Sequence, residues 1–469
     1  MGRRQLVYVV PGIGGSVLEE PPSGKGPGRR VWDAGLGDIA ASFLRPGRLD
    51  PDIGLRPVGL ITSKRLVGWT PVHGYERLIN QVGAGAVVDR GHPDARNLAA
   101  DVVLFPYDFR MGAAEAAHRL AADAHDRLKD YDEKERAGRV VVVAHSMGGL
   151  VARYWLGPLE GWRVCRSLVT LGTPHRGAPK ALDWMVNGIP LRHAIGGREG
   201  ALTRWPAIAE LLPQYPAVWD NRTQRPLYPG ELPMEWLRSR VETGARVHAD
   251  IKQAWDVLPR TTEMVPRLGW SHATDGVAHW DGKSLRMTGE QPTWLGLAGR
   301  QDELGDGTVP ACSAVPWEMS GHNTLAMRVA EKHGPMSAAP WVAPTLTHYE
   351  ERPTLDAVRG DRHRTTLGLD IDDVHAEHTP LPVHVALRGE DAPAGPPAGV
   401  EVWATLRPAD SPPGGPGVEV ALAADSTSGT YVCELIGQPP GVYEITVEAE
   451  AVPGAGDLTA TDLVTVVSP

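Results

Sequence analysis

The stretch that decides the fold is Val140-Val141-Val142-Val143-Ala144-His145-Ser146-Met147-Gly148-Gly149. Its four β-branched valines predict a buried strand, and the unbroken, helically spaced apolar residues that follow at 150–156 predict a helix. A serine between a strand and a helix, with small residues on both sides, is the pattern of a nucleophile elbow. The residues at 144 and 148 must be small, because larger side chains would collide with the neighbouring strand or helix when the turn tightens. We therefore expect the Ser146 hydroxyl to stand clear of the sheet, above a helix N-terminus that favours developing negative charge.

Length, charge and cysteine content narrow the classes of protein to which the chain can belong. It has 469 residues, too many for one compact domain of ordinary size, and a net charge of −10 from 47 basic and 57 acidic residues. We expect no nucleic-acid partner, because such a partner requires a basic surface. The three cysteines lie far apart, which favours a reducing compartment, and we find neither a signal-peptide pattern nor an apolar run that could span a membrane. The expected location is therefore cytoplasmic.

Strands and helices alternate in the first part of the chain. Buried strands are predicted at 6–10, 101–105, 140–143 and 164–171, and helices at 75–82 and 113–136. This alternation predicts an α/β fold with a mostly parallel sheet flanked by helices. In such sheets the functional groups gather at the carboxyl ends of the strands, where we find the loops 11–16, 106–110, 144–149 and 172–178. The convergence of these loops on one edge indicates a functional site.

The first of these loops is Pro11-Gly12-Ile13-Gly14-Gly15-Ser16. It lacks the Gly-Lys-Ser/Thr of a P-loop and the G-x-G-x-x-G spacing of a dinucleotide site, so a nucleotide-binding interpretation is weak. The alternative is an oxyanion loop, whose glycines let backbone N–H groups approach a reacting carbonyl group.

An acid and a base are expected downstream of the serine, because Ser, Asp, His is the chain order that an elbow of this kind requires. We predict that a strand at 293–299 returns to the sheet and that Asp306, in a Gly-Asp-Gly turn after it, is the acid. His333 is our choice for the base, since it follows Asp306 and Gly334 would let its loop turn into the site. His322 stays open as the alternative base.

The remaining segments differ in composition from the alternating part. Residues 180–290 are punctuated by Pro and Gly and carry several tryptophans, which predicts an inserted cap or lid with most tryptophans in its core and a minority lining a substrate channel. Residues 346–379 are predicted to be a solvated linker, because their histidines and aspartates match no metal-ligand spacing. Short alternating strands with Pro/Gly turns at 380–469 predict an immunoglobulin-like β-sandwich. The first domain then covers residues 1–345, including the lid.

Four motifs of this chain resemble the lecithin:cholesterol acyltransferase family in their order and rough spacing. They are Val10-Pro11-Gly12-Ile13-Gly14-Gly15-Ser16, Phe105-Pro106-Tyr107-Asp108-Phe109-Arg110, Ala144-His145-Ser146-Met147-Gly148-Gly149 and Gly305-Asp306-Gly307-Thr308-Val309-Pro310. That family has an α/β-hydrolase fold with a lid and includes phospholipases and O-acyltransferases. The resemblance covers about residues 5–340, and it implies that Ser146 is the nucleophile, Asp306 the acid and His333 the base. It also implies that the backbone N–H groups of Ile13 and Met147 form an oxyanion hole.

Together, the residues and the resemblance predict a serine-dependent acyl-ester hydrolase or O-acyltransferase of lipase or phospholipase type. It would act on lipid-like substrates through an acyl-enzyme on Ser146, and this chemistry needs no metal and no organic cofactor. Two alternatives stay open: a small-ester carboxylesterase or thioesterase, and a non-catalytic binding or effector module that uses the sandwich. Besides a lipid or ester substrate, we expect transient contact between the lid and a membrane surface, and a protein partner for the C-terminal domain.

Overall fold

The computed structural model describes most of the chain. The described residues are 5–22, 28–33, 46–62, 65–67, 70–72, 74–188, 201–258, 262–295, 304–320, 327–339, 341–342, 365–389, 392–411 and 415–467. The alternative base, His322, and residues 346–364 of the predicted linker lie outside these ranges. No helix within the described ranges has the length and apolar character that crossing a membrane requires.

A seven-stranded sheet, in which every pair of neighbouring strands is parallel, forms the centre of the N-terminal α/β part. In spatial order its strands are Val88–Asp89, Val102–Leu104, Leu6–Val10, Val140–His145, Cys165–Leu171, Glu263–Gly269 and Arg328–Val329. The elbow strand, Val140–His145, takes the central position and is buried along its whole length. A strand covered on both faces has a continuous apolar sequence, which is why four successive valines predicted it. The predicted α/β-hydrolase fold class, with its mostly parallel sheet, is confirmed.

Helices flank this sheet and also build the lid. They are Glu76–Val82, Ala113–Leu128, Glu133–Arg136, Gly148–Leu156, Pro179–Val186, Pro206–Glu210, Glu235–Val257, Ala311–Ala314 and His333–Met336. The single helix predicted over 113–136 is in fact two helices, because Asp132 starts the second one. Its carboxylate accepts from the Glu135 N–H at 2.9 Å, and its own N–H donates to the Glu135 carboxylate at 3.1 Å. This capping box interrupts a segment whose composition favours helix throughout.

The sheet strand that precedes the proposed acid in the chain lies at Glu263–Gly269. The strand predicted at 293–299 is wrong where the structure describes it, since Thr293–Leu295 is a 3-10 helix, and the rest of that prediction lies outside the described ranges. The strand Glu263–Gly269 was not predicted because it contains Pro266, and a proline in a sequence argues against a central strand. In the sheet, Pro266 pairs in register with Thr170 of the neighbouring strand.

The sheet strand Glu263–Gly269 divides the predicted lid, residues 180–290, into two segments. Together the two segments form a separate four-stranded sheet, in the order Arg225–Leu227, Val218–Asp220, Val277–Trp280 and Leu285–Thr288. Trp205 and Trp280 are buried, as expected for tryptophans in the core of a lid. Two small sheets lie nearer the N-terminus and consist of Ser16–Glu19, Arg30–Trp32 and Arg56–Leu60, and of Arg65–Val67 and Thr70–Val72.

Two sheets form a sandwich in the C-terminal part, as predicted. One contains Thr366–Asp370, Leu381–Arg388, Thr430–Leu435 and Ala423–Asp425, and the other contains Val374–Ala376, Gly456–Val467, Gly441–Val452, Glu401–Pro408 and Val418–Ala421. Side chains from both sheets, among them Val385 and Ile445, share one apolar core. Thr366–Asp370 and Val374–Ala376 fall within the segment predicted as a linker, because these strands are short and the aspartates between them resemble a solvated connection. We refer to residues 366–467 as the C-terminal sandwich.

Candidate active site

Ser146 lies in the tight turn between the elbow strand, Val140–His145, and the helix Gly148–Leu156. Its φ angle is +53°, a left-handed conformation that is uncommon outside glycine and that the surrounding structure must impose. The Ser146 N–H donates to the Leu171 carbonyl on the neighbouring strand at 2.8 Å, which fixes the turn. Only 8% of the residue is exposed. The strand, strained turn and helix have the geometry of a nucleophile elbow.

Hydrogen bonds join the side chains of Ser146, His333 and Asp306, the three residues predicted from the motifs. The His333 Nε2 lies 2.9 Å from the Ser146 Oγ, and its Nδ1 lies 2.7 Å from the Asp306 Oδ2. Because a carboxylate only accepts, Nδ1 carries the ring proton, and Nε2 accepts from the serine hydroxyl. The His333 backbone N–H also donates to the Asp306 carbonyl at 2.8 Å, so the two loops are connected twice. Such an arrangement can take the proton of Ser146 as its oxygen attacks an electrophile.

The Asp306 carboxylate is kept charged although the residue is only 1% exposed. Burial alone would raise its pKa, but the electrostatic interaction with His333, the hydrogen bond from that ring and bonds from two backbone N–H groups lower the pKa below its ordinary value. The two N–H groups belong to Val309 and Thr308 and lie 2.7 and 2.9 Å from the Asp306 Oδ1. The turn therefore holds one carboxylate oxygen while the other faces His333.

A hydrogen-bonded chain through Tyr75 and His145 connects both sides of the site. The Gly12 N–H donates to the Tyr75 hydroxyl at 2.8 Å, the hydroxyl lies 2.9 Å from the His145 Nδ1, and the His145 Nε2 lies 2.8 Å from the His333 carbonyl. A carbonyl only accepts, so Nε2 carries the ring proton, and the Tyr75 hydroxyl donates to Nδ1. Burial, and then the neighbouring His333, lower the pKa of His145 to about 3, which keeps this ring neutral.

His145 belongs to the elbow motif, but no motif in the sequence marks Tyr75. Tyr75 lies immediately before the short helix Glu76–Val82, where nothing in the local pattern marks it. Its position beside the elbow arises from long-range packing. His175, in the loop 172–178, is buried, and its ring bonds to the Thr170 hydroxyl at 3.2 Å and to Arg153 at 3.3 Å.

The loop Pro11–Ser16 lies beside the elbow and contributes Ile13 to the wall of a pocket. The loop 106–110 braces it, since the Tyr107 hydroxyl donates to the Pro11 carbonyl at 2.9 Å. Among the described residues, no acceptor binds the backbone N–H of Ile13 or of Met147, and both residues adjoin Ser146 or its pocket.

A pocket opens in front of Ser146 and His333 and contains about 600 Å³ of empty space, part of it open to solvent. Most of its wall is apolar, and the apolar side chains come from Ile13, Ala178, Ala181, Trp184, Leu211 and Val309. Lys180 adds a charged group to the same wall. A pocket of this character suits the hydrocarbon part of an ester. Within the described part of the chain, no three His, Cys, Asp or Glu side chains come together to hold a metal ion.

Three solved structures illustrate the similarities of this chain to known folds. The Bacillus licheniformis lipase BlEst2 in its propeptide form is 11% identical, with 99% of this chain and 94% of that chain covered and a TM-score of 0.35. The superoxide reductase (neelaredoxin) of Ignicoccus hospitalis is 15% identical over 22% of this chain and 82% of its own, with a TM-score of 0.16. The Escherichia coli α-2-macroglobulin is 14% identical over 23% of this chain and 10% of its own, with a TM-score of 0.18.

No curated protein matches the sequence. A model of the lecithin:cholesterol acyltransferase family matches residues 90–226, a segment that contains the elbow and the 106–110 loop. This match supports acyl-ester chemistry, whether by hydrolysis or by acyl transfer. The resemblance inferred from the motifs is thereby confirmed: the chain has an α/β-hydrolase fold and is similar to the lecithin:cholesterol acyltransferase family over residues 90–226.

Proposed function

We propose that this protein is a serine-dependent acyl hydrolase or O-acyltransferase that acts on lipid-like esters through an acyl-enzyme on Ser146. The observation that carries the proposal is the position of the His333 ring, 2.9 Å from the Ser146 Oγ and 2.7 Å from the Asp306 carboxylate. The similarity of residues 90–226 to the lecithin:cholesterol acyltransferase family supports the same chemistry.

In the proposed mechanism, His333 Nε2 takes the hydroxyl proton while the Ser146 Oγ attacks the ester carbonyl carbon. The Asp306 carboxylate stabilises the imidazolium that forms. The backbone N–H groups of Ile13 and Met147 donate to the oxyanion of the tetrahedral intermediate, and each such donor is worth about 3 kcal/mol in comparable sites. When the intermediate collapses, His333 returns its proton to the leaving alkoxide, and the acyl group stays on Ser146.

The second half of the reaction uses the same groups. His333 accepts a proton from water or from an alcohol, whose oxygen attacks the acyl-enzyme. When this second tetrahedral intermediate collapses, the bond to the Ser146 Oγ breaks, His333 returns the proton to that oxygen, and a fatty acid or a new ester is released. The neutral ring of His145 holds the His333 carbonyl throughout. The balance between hydrolysis and transfer depends on how well the lid excludes water from the acyl-enzyme.

The proposed substrate class follows from the pocket. Trp184, Leu211 and the neighbouring alanines would contact an acyl chain, and burial of each methylene stabilises the complex by about 0.8 kcal/mol. We therefore expect esters of long-chain acids to be preferred over acetates. A strong preference for acetate would favour a small-ester carboxylesterase instead.

A fluorophosphonate probe tests the nucleophile directly. The full-length chain should react with the probe, and Ser146→Ala should not. Ser167→Ala is the matched control, since Ser167 is a buried serine on the adjacent strand. This variant should react with the probe as the wild type does. Labelling that survives in Ser146→Ala would refute the proposal. Mass spectrometry of a lipid extract, incubated with and without an added alcohol, would then identify the acyl donor and acceptor.

A further inference from the structure

The C-terminal sandwich contacts the N-terminal part beside the proposed base. Its last strand, Gly456–Val467, packs against the short helix His333–Met336. Directly before His333, the Lys332 ammonium forms an ion pair with the Asp462 carboxylate of that strand. The two side chains are only 5% and 7% exposed. Each charge would be costly to bury without the other, so the pair holds the backbone of Lys332 against the sandwich.

A second ion pair connects the sandwich to the wall of the pocket. Lys180 lies in the first turn of the helix Pro179–Val186 and pairs with Asp373 of the sandwich. Trp184, one turn further along the same helix, also lines the pocket, and its ring centroid lies 5.9 Å from the Lys180 Nζ. Asp373 therefore holds the helix that forms the apolar wall.

His272 provides a third connection. Its Nδ1 accepts from the Leu369 N–H of the sandwich at 3.1 Å, so its Nε2 carries the ring proton and donates to the Ala330 carbonyl at 3.3 Å. The His272 N–H donates to the Gly305 carbonyl at 3.0 Å. The ring of His272 thus links the sandwich to the segment before the base, and its backbone N–H links the same residue to Gly305, directly before the acid.

We propose that the C-terminal sandwich is a positioning domain of the active site, in which Asp462 acts through Lys332 on the base and Asp373 acts through Lys180 on the pocket wall. The inference rests on the proposed function, since it concerns the same site. Neither aspartate touches the reacting atoms, so both are positioning residues. The two contacts have different consequences: Asp462 governs proton transfer by His333, and Asp373 governs the fit of the acyl chain.

The electrostatics of the junction agree with this role. Burial raises the pKa of the Asp462 carboxyl above its ordinary value, and the charge of Lys332 opposes that rise. A module that served only to recruit a partner would not need a buried charge next to the base.

Kinetics of the full-length chain test the first contact. Asp462→Asn should lower the rate of fluorophosphonate labelling and kcat by about tenfold to 100-fold, with KM for a long-chain nitrophenyl ester changed by less than about twofold. Asp462→Glu, which keeps the charge, should recover part of the loss. Asp425→Asn is the control, since its carboxylate accepts from Ser428 and Thr427 in a local turn of the same sandwich. Equal labelling rates in the wild type and in Asp462→Asn would overturn the inference.

Asp373→Asn tests the second contact. It also provides a measurement if Asp462→Asn does not fold, because the side chains of Asp373 and Lys180 are each 19% exposed, so the loss of the charge is better tolerated there. We expect KM for the long-chain ester to rise by about threefold to tenfold, with kcat within about twofold of the wild type. An unchanged KM would overturn this part of the inference. A wild-type chain that resists the probe would instead refute the proposed function, whereas a reactive wild type with indifferent variants would refute the positioning role alone.

Discussion

On the nucleophile side of the pocket, Ser146 and the loop Pro11–Ser16 follow two adjacent strands, Leu6–Val10 and Val140–His145, which pair in parallel along their length. On the other side, Asp306 lies on a loop and His333 at the start of a short helix, and their partners come from distant parts of the chain. His145 reaches His333 across 188 residues, and Asp462 reaches Lys332 across 130. The nucleophile side is thus set by strand pairing and a short motif, whereas the base side is set by a network of single long-range contacts. Substitutions far from Ser146 should therefore affect the base side most.

The largest expected effect concerns the base itself. His333→Ala should lower kcat by about 10⁶-fold, because Ser146 then lacks an acceptor for its proton. His322→Ala, the matched change at the alternative histidine, should stay close to wild-type activity. Steady-state hydrolysis of a nitrophenyl ester checks both variants. Loss of activity only in His322→Ala would identify His322 as the base. His333 would then no longer belong to the base side of the pocket.

A smaller loss is expected where the two sides meet. Gly172 has a φ angle of +57°, and a Cβ there would lie 2.7 Å from the Asp306 Oδ2 and 3.0 Å from the His333 Nδ1. Gly172→Ala should displace the acid and the base and lower kcat by about 100-fold. Gly85→Ala is the control, because Gly85 has a φ angle of +72° but no atoms near its missing Cβ. If both variants lose activity equally, backbone strain and not the contact with the base side is responsible.

The chain from Gly12 through Tyr75 to His145 is the next test, since it couples the two sides. Tyr75→Phe removes the hydroxyl that accepts from the Gly12 N–H and donates to His145. We expect kcat to fall by about tenfold, the equivalent of one buried hydrogen bond, with a smaller change in KM. Tyr431→Phe controls for the loss of a buried hydroxyl, since the Tyr431 hydroxyl has no partner among the described residues. Unchanged kcat in Tyr75→Phe would show that the two sides act independently.

The same contrast explains what could be predicted from the sequence. The elbow strand was predicted because a strand buried on both faces is a continuous run of valines, and Ser146 because the strand, turn and helix are consecutive. The parallel sheet followed from the alternation of strands and helices. Asp306 and His333 could be chosen through chain order and resemblance, and the structure brings both to Ser146.

The remaining features could not be predicted because no local pattern carries them. Pro266 argued against the sheet strand that contains it. The aspartates near Asp373 gave the strands Thr366–Asp370 and Val374–Ala376 the composition of a linker. Tyr75 and Asp462 have ordinary local surroundings, and their contacts exist only after distant segments pack together. Positions of this kind are determined by the whole fold, so a motif identifies the nucleophile but not the residues that hold its partners.

A long-range contact of the same type joins the lid to the layer beneath it. Glu210, at the end of the lid helix Pro206–Glu210, accepts from the Ala113 N–H at 2.5 Å and so caps the helix Ala113–Leu128. Burial raises the pKa of Glu210 from 4.5 to about 7. Between these pH values the folded chain holds a proton that the unfolded chain has released, so the free energy of unfolding falls as the pH rises. The stabilisation that comes from protonated Glu210 is fully present below pH 4.5, the pKa in the unfolded chain, and is lost above about pH 7, the pKa in the folded chain.

Glu210→Gln removes this titration and keeps a hydrogen-bond acceptor at the helix N-terminus. Relative to that variant, the Tm of the wild type should fall by about 3 °C between pH 5 and pH 8, the smallest of the effects predicted here. Thermal unfolding of both proteins across this range, followed by circular dichroism, measures the difference. A difference in Tm that stays constant with pH would show that the Glu210 carboxyl does not titrate there. In that case the contact between the lid and the helix Ala113–Leu128 would resemble the pH-independent strand pairing of the nucleophile side.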